Sequence, residues 1–184
     1  MAIMIDIETL GTQPGCVVLS IGAVEFNDKG LGKEFYVQIS PESCTDWGLK
    51  IEPRTVMWWL EQNEAARKTL TDGKRNPLEA ALTALNAAFK WKDQPVWCNG
   101  ANFDFPILEA AYAALGWQVP WAYWSTNDYR TLKNIVPRDV YNASKVEAQI
   151  KHNALADAMA QAETAIQLLS WVNRNVKETK RAAA

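Results

Sequence analysis

An α/β domain, with a mixed sheet and helices packed on its faces, is the fold class this chain predicts. The order of its elements carries the prediction. Three apolar, β-branched runs come first, and helical stretches then alternate with further strand-like runs, an order that builds a sheet flanked by helices. With 184 residues the chain fits a single domain, placed at 1–176, with the tail "KETKRAAA" at 177–184 expected to fray. A content of 48% hydrophobic and 22% charged residues is that of a soluble globular protein able to bury a core without disulfide or metal staples.

"IMIDIE" (Ile3 to Glu8) is the first strand and "VVLSIGAVEF" (Val17 to Phe26) the second. Glycines and a proline in "TLGTQPG" make the turn between them. "EFYVQI" (Glu34 to Ile39) completes an antiparallel meander. Pro53 then opens one helical stretch, "RTVMWWLEQNEAARKTL". In "NPLEAALTALNAAFKW" Asn76 reads as the N-cap, Pro77 as the first helical residue and Glu79 as the third after the cap. Leu78, Leu82, Leu85 and Phe89 recur there at helical spacing. "PVWCNG" reads as a buried strand running into a glycine turn. "DFPILEAAYAALG" is a helix with proline early and Gly116 after its end. "DYRTLKNIVP" is a short helix stopped by Pro137, and the last long helix starts at Asn153.

Several functions are excluded by composition. Three widely spaced cysteines and a single histidine supply neither a disulfide framework nor a zinc pattern. A net charge of −2 gives no global positive field for nucleic acid, which argues against a simple backbone-binding module. It leaves room for an enzyme that neutralises phosphate with bound metal. The start "MAIMIDIE" lacks a basic n-region and cleavage site, and no apolar run approaches 18 residues, so the expected location is cytoplasmic.

Asp6 and Glu8 share parity on the first strand, so both carboxylates project to one side while Ile5 and Ile7 go to the other. Two adjacent like charges on a core-forming strand repel and cost desolvation unless a cation compensates, or unless that face is simply solvated. Asp104 follows the turn "NGANF" and reads both as an N-cap and as a group at a strand's C-terminal end, where α/β sheets bind ligands. His152 and Asp157 would be about 140° apart on one continuous helix. With the helix starting at Asn153, His152 lies in the preceding loop and can fold back beside Asp157.

"DIET" (Asp6 to Thr9), "NGANFD" (Asn99 to Asp104) and "HNALADA" (His152 to Ala158) resemble, in this order, the three exonuclease motifs of the DEDDh superfamily. That superfamily includes polymerase proofreading subunits, RNase T and oligoribonuclease. The segment "WWLEQNEAAR" (Trp58 to Arg67) and "DYRTL" (Asp128 to Leu132) are similar to a compact viral and bacterial subgroup of 3′–5′ exoribonucleases and phage-type exodeoxyribonucleases. The sequence departs from the proofreading pattern at the second motif, where "CNGANFD" replaces the usual His-Asn-x-x-Phe-Asp.

The resemblance implies a ribonuclease H-like fold with a mixed five-stranded sheet, the meander first and parallel strands after it. It implies a metal-dependent 3′–5′ exonuclease that releases nucleoside 5′-monophosphates from single-stranded nucleic acid, with a lean to DNA over RNA. Asp6, Glu8, Asp104 and Asp157 would hold two Mg²⁺ or Mn²⁺ ions about 3.5–4 Å apart. His152 would be the general base, since imidazole is the side chain whose ordinary pKa lies near neutrality. The backbone of Thr9, Leu10 and Gly11 would contact the terminal nucleotide. Trp58 and Trp59, about 100° apart on a helix, read either as one core ring and one that stacks on a base or as two core rings, with Gln62 on the face of Trp58. Arg67 and Arg130 are candidate phosphate contacts. The oligomeric state is not readable from the sequence, although relatives are often homodimers. A catalytically silent nucleic-acid-binding module is the rival reading, against which stands the presence of all five motif residues.

Overall fold

The computed structural model describes residues 1–182. Its strands are β1 (Ala2–Thr9), β2 (Val18–Asn27), β3 (Gly30–Ile39), β4 (Arg75–Asn76), β5 (Val96–Cys98) and β6 (Thr126–Asp128). They form one sheet in the order β4-β3-β2-β1-β5-β6. The first three pair antiparallel, as the meander requires, while β4, β5 and β6 each run parallel to their neighbour. One strand more than expected is present. No run in the sequence located the two-residue β4 or the three-residue β6, both too short to leave a pattern.

The helices are α1 (Pro41–Asp46), α2 (Pro53–Glu61), α3 (Glu64–Thr71), α4 (Leu78–Ala88), α5 (Asp104–Ala114), α6 (Tyr129–Ile135), α7 (Arg138–Ser144) and α8 (Ala154–Ala182). The segment expected to fray from Lys177 falls in the last turns of α8, and residues 183–184 lie outside the described residues. No helix is long and apolar enough to cross a membrane among the described residues.

Strand alternation divides β1 between two cores. Ile3, Ile5 and Ile7 join Leu82 and Leu85 of α4 and Ile107 and Leu108 of α5 on one face. Met4 joins Val24, Phe26, Leu132 of α6 and Ala158, Ala162 and Leu168 of α8 on the other. Asp6 and Glu8 continue the row of Met4, so they open beneath the start of α8.

Two helix boundaries differ from the sequence reading. Asn76 is not an N-cap: its carbonyl accepts the Ser40 amide at 2.9 Å inside the sheet edge, and Ser43 Oγ takes over by accepting the Leu78 amide at 2.9 Å. Pro77 is consequently the residue before α4, not its first. The expected single helix after Pro53 is broken at Gln62–Asn63, because Asn63 Oδ1 accepts the Ala66 amide at 2.9 Å and restarts the chain as α3. A short polar side chain competing for backbone hydrogen bonds is a common cause of such breaks.

Gly22 pairs with Asp6 across β1 and β2. A Cβ on Gly22 would stand 2.2 Å from the Ala154 carbonyl carbon and the Leu155 amide nitrogen, so α8 begins in direct contact with the strand that faces Asp6. Gly22→Ala is therefore expected to push α8 off the sheet and cost about 1–3 kcal/mol of stability or more. Denaturant titration checks the loss, and an unchanged midpoint would contradict the close approach.

Candidate active site

Asp157 sits in the first turn of α8, and Asn153 Oδ1 caps that turn by accepting the Ala156 amide at 3.0 Å. His152 lies just outside the helix with φ +61°, a left-handed conformation uncommon for a side-chain-bearing residue. The turn brings its amide 2.9 Å from Asp157 Oδ2, while its carbonyl accepts Thr69 Oγ1 of α3 at 2.9 Å. Histidine and aspartate thus meet through the loop. Asp104 is the first residue of α5, not its N-cap, and follows a turn leaving β5. It is 3% exposed and Glu8 is 8% exposed.

All five residues line one cleft of about 490 Å³. Glu8, His152 and Asp157 each bring a donor atom within 4.8 Å of the others. Asp6 and Asp104 stand outside that trio and couple to it electrostatically. Burial pushes the Asp6 carboxyl well above the usual range, helped by the charges of Asp104, Glu8 and Asp157. Gln161 Nε2 pulls it back by donating to Asp6 Oδ1 at 2.8 Å. Burial, with Asp157 and Asp104 behind it, pushes Glu8 up to about 8. Asp104 is raised by burial to about 7, against hydrogen bonds from its own backbone, the Cys98 thiol and the Ile7 amide and the charge of Arg130. Asp157 is raised by burial and restrained by the His152 amide.

Four carboxyls raised by burial, with Asp6 and Glu8 raised further by their acidic neighbours, are a site that a divalent cation would relieve. Oxygen donors are what Mg²⁺ and Mn²⁺ prefer. A second observation agrees: Gln161 Oε1, buried beside Asp6, accepts no hydrogen bond and is available to the hydrogen of a cation's hydration shell. These residues fit the metal.

Next to the cleft is a second hollow of about 300 Å³, lined by Thr9, Gly11, Arg54, Trp58, Trp59 and Phe103 among others. Ile7, Glu8 and Phe103 line both. Trp59 is buried, with its indole Nε1 donating to Thr9 O at 2.9 Å, whereas Trp58 is 40% exposed. The two rings meet edge to face at 4.9 Å, and the His152 ring stands edge-on to both, at 5.0 Å from Trp58 and 5.9 Å from Trp59.

Of the other candidates, Arg130 lines the larger cleft, and Leu10, Gln62 and Arg67 line neither hollow. Gln62 follows the end of α2 and its Nε2 donates to Trp58 O at 2.9 Å, so it does not share a helical face with Trp58. Arg67 Nη1 donates to Leu60 O at 2.9 Å, closing the same helix end. Leu10 has its amide on Val17 O and its carbonyl on the Glu52 amide. Sequence reading passed over Gln161, Lys133, Arg54 and Phe103. The signals were there: Gln161 is four residues after Asp157, and Lys133 three after Arg130, each one turn along a helix.

Known proteins are similar to this chain in sequence and in fold. An exodeoxyribonuclease of Enterobacteria phage T4 is 25% identical over 125 residues, which are 57% of this chain and 52% of that protein, so the match spans about half the length of the relative. The structure of exonuclease X in complex with 5′ overhanging duplex DNA aligns over 92% of both chains with a TM-score of 0.60 at 19% identity. The nuclease domain of 3′hExo, a DEDDh family member bound to rAMP, aligns over 92% of this chain and 91% of its own with a TM-score of 0.56 at 12% identity. Apo exonuclease I gives a TM-score of 0.61 at 14% identity, over 91% of this chain and 41% of its own. These likenesses show the ribonuclease H-like fold of DEDDh exonucleases. Residues 1–169 match the family described as the 3′–5′ exoribonuclease Rv2179c-like domain, and the chain belongs to that family.

Proposed function

We propose that the protein is a metal-dependent exonuclease that removes nucleoside 5′-monophosphates from single-stranded 3′ ends, with His152 as general base. The observation that carries this reading is the convergence of Asp6, Glu8, Asp104, His152 and Asp157 on one cleft that opens beside an aromatic hollow. Two divalent cations, Mg²⁺ or Mn²⁺, held by the four carboxylates, would lower the pKa of the attacking water and offset charge on the departing 3′ oxygen.

The protein's own groups do the rest. Trp58 offers its partly exposed ring to the terminal base, a contact worth roughly 1–3 kcal/mol. Trp59, locked to Thr9 O, forms the floor of the hollow. Glu8, on the shared wall, stands where the sugar's 3′ end and the scissile phosphate meet. His152 accepts the water's proton from a loop held on both sides, by Thr69 and Asp157.

RNA is the substrate that the family match over residues 1–169 supports. DNA is a second reading, favoured by the likeness to the phage exodeoxyribonuclease. Incubation of matched 3′-labelled RNA and DNA oligomers, with Mg²⁺ and with EDTA, is expected to give metal-dependent mononucleotide release, faster from RNA. A circular single strand is expected to survive. No release from either oligomer would favour a silent binding module, and cutting of the circle would make the protein an endonuclease.

The two tryptophans are expected to separate in effect. Trp58→Ala should raise KM by about five- to a hundredfold, the equivalent of the stacking contact, with a nearly unchanged melting temperature. Trp59→Ala removes a buried ring and should cost about 3–5 kcal/mol of stability. Kinetics and thermal melts on both variants check this, and similar melting losses in the two would contradict it.

A further inference from the structure

With the terminal nucleoside in the aromatic hollow and the scissile phosphate at the acids, the remaining strand continues into the larger cleft. Arg130 and Lys133 of α6 line that cleft and do not line the aromatic hollow. Their placement is built rather than incidental. Arg130 Nη2 donates to Asn99 O at 2.8 Å, and Lys133 Nζ reaches Asn99 Oδ1 at 3.5 Å. Gly100, at φ +118°, lets the guanidinium lie where a Cβ would be 2.7 Å from Nη2. The amides of Gly100 and Arg130 both donate to Asp128 Oδ1 at 3.0 Å, clamping the turn after β5 to the start of α6.

This bracket uses the residues at which "CNGANFD" departs from the superfamily's second motif. It also holds two cations together at a cost. Burial, and next the charge of Arg130, bring the Lys133 ammonium below its ordinary pKa. Neither cation makes a close ion pair among the described residues, where the pairs are Lys68–Glu64 and Lys145–Glu147. The Asp128 carboxylate supports the Lys133 charge, and Arg130 in turn eases the ionisation of Asp104, without direct contact. Neighbouring cations whose side chains are held by Asn99 at the rim of a nuclease cleft are suited to an external anion.

We propose that Arg130 and Lys133, bracketed by Asn99, Gly100 and Asp128, form a cationic subsite for the phosphodiester one nucleotide 5′ of the scissile bond. The proposal rests on the exonuclease reading above. A dinucleotide has only the scissile phosphodiester, whereas a trinucleotide has a second one to place on this subsite.

The test measures kcat/KM with Mg²⁺ on di-, tri- and octanucleotides for the unaltered protein, Lys133→Met, Arg130→Gln and Lys133→Arg. For the unaltered protein the trinucleotide is expected to be the better substrate. The trinucleotide-to-dinucleotide ratio is expected to fall about tenfold in Lys133→Met and in Arg130→Gln, the scale of a lost charge-assisted hydrogen bond. Lys133→Arg should keep the ratio. For the octanucleotide, the slope of log KM against log salt should shrink by roughly 0.7 for each cation removed.

Equal losses on the two short substrates would place the cations on the scissile phosphate and overturn the proposal. A ratio unchanged in both charge-removing variants would overturn it too. Failure of the unaltered protein to hydrolyse any oligomer would instead sink the exonuclease reading itself.

Discussion

Asp157→Asn is expected to abolish Mg²⁺-dependent hydrolysis and weaken Mn²⁺ binding by at least about tenfold, whereas His152→Ala should slow chemistry by roughly 10²–10⁴-fold with Mn²⁺ binding nearly intact. The asparagine keeps an oxygen for the His152 amide, which donates to Asp157 Oδ2 at 2.9 Å, so the loop is held while the charge is lost. The pair of variants is needed because the imidazole shares the 4.8 Å trio with Glu8 and Asp157. That spacing suits a third metal ligand as well as a base. Calorimetric Mn²⁺ titration beside steady-state kinetics separates the two roles. Equal loss of metal affinity in both variants would make His152 a ligand and remove the base from the scheme.

The second large effect is on stability. Without metal, the melting temperature is expected to fall by several degrees as pH rises from 5 to 8, and Mg²⁺ should abolish the fall. The sign follows from carboxyls that burial displaces upward, Asp6, Glu8 and Asp104 together. Glu8 titrates at 4.5 when unfolded and is pushed up to about 8 in the fold, while Asp104 moves from 3.8 to about 7. Between those limits the folded protein binds protons that the unfolded chain has already released. Stability therefore declines with rising pH through that window. Bound cation replaces the protons and removes the dependence. Melts in EDTA and in Mg²⁺ at four pH values read this directly. A melting temperature that rises with pH in EDTA would mean that these acids are compensated by groups of the protein itself.

The parts of the fold visible in sequence were those with strong local periodicity. The alternation of Ile3, Ile5 and Ile7 against Met4, Asp6 and Glu8 predicted both the first strand and the shared face of two acids, and both appear. The last long helix was expected from Asn153; it starts at Ala154 with Asn153 capping it, which leaves His152 in the preceding loop as expected. What escaped was decided by partners distant in sequence. Asn76 has every local mark of a cap, yet Ser40 holds it in the sheet and Ser43 caps its helix. Gln62 was expected on the helical face of Trp58, and the break at Asn63 takes it off that face; its amide and the Arg67 guanidinium donate to carbonyls at the end of α2. β6 is three polar-edged residues, "TND", with no alternation to mark it. Gln161 could have been found, since a polar residue one turn after Asp157 in an alanine-rich helix shares its face.

Anomalous diffraction from crystals grown with Mn²⁺ tests the central claim most directly. The account predicts two peaks about 3.5–4 Å apart, coordinated by oxygens of Asp6, Glu8, Asp104 and Asp157, with the His152 imidazole outside the inner coordination sphere. A lone ion held by the His152 nitrogen, or any ion set that leaves Asp104 uncoordinated, would contradict it.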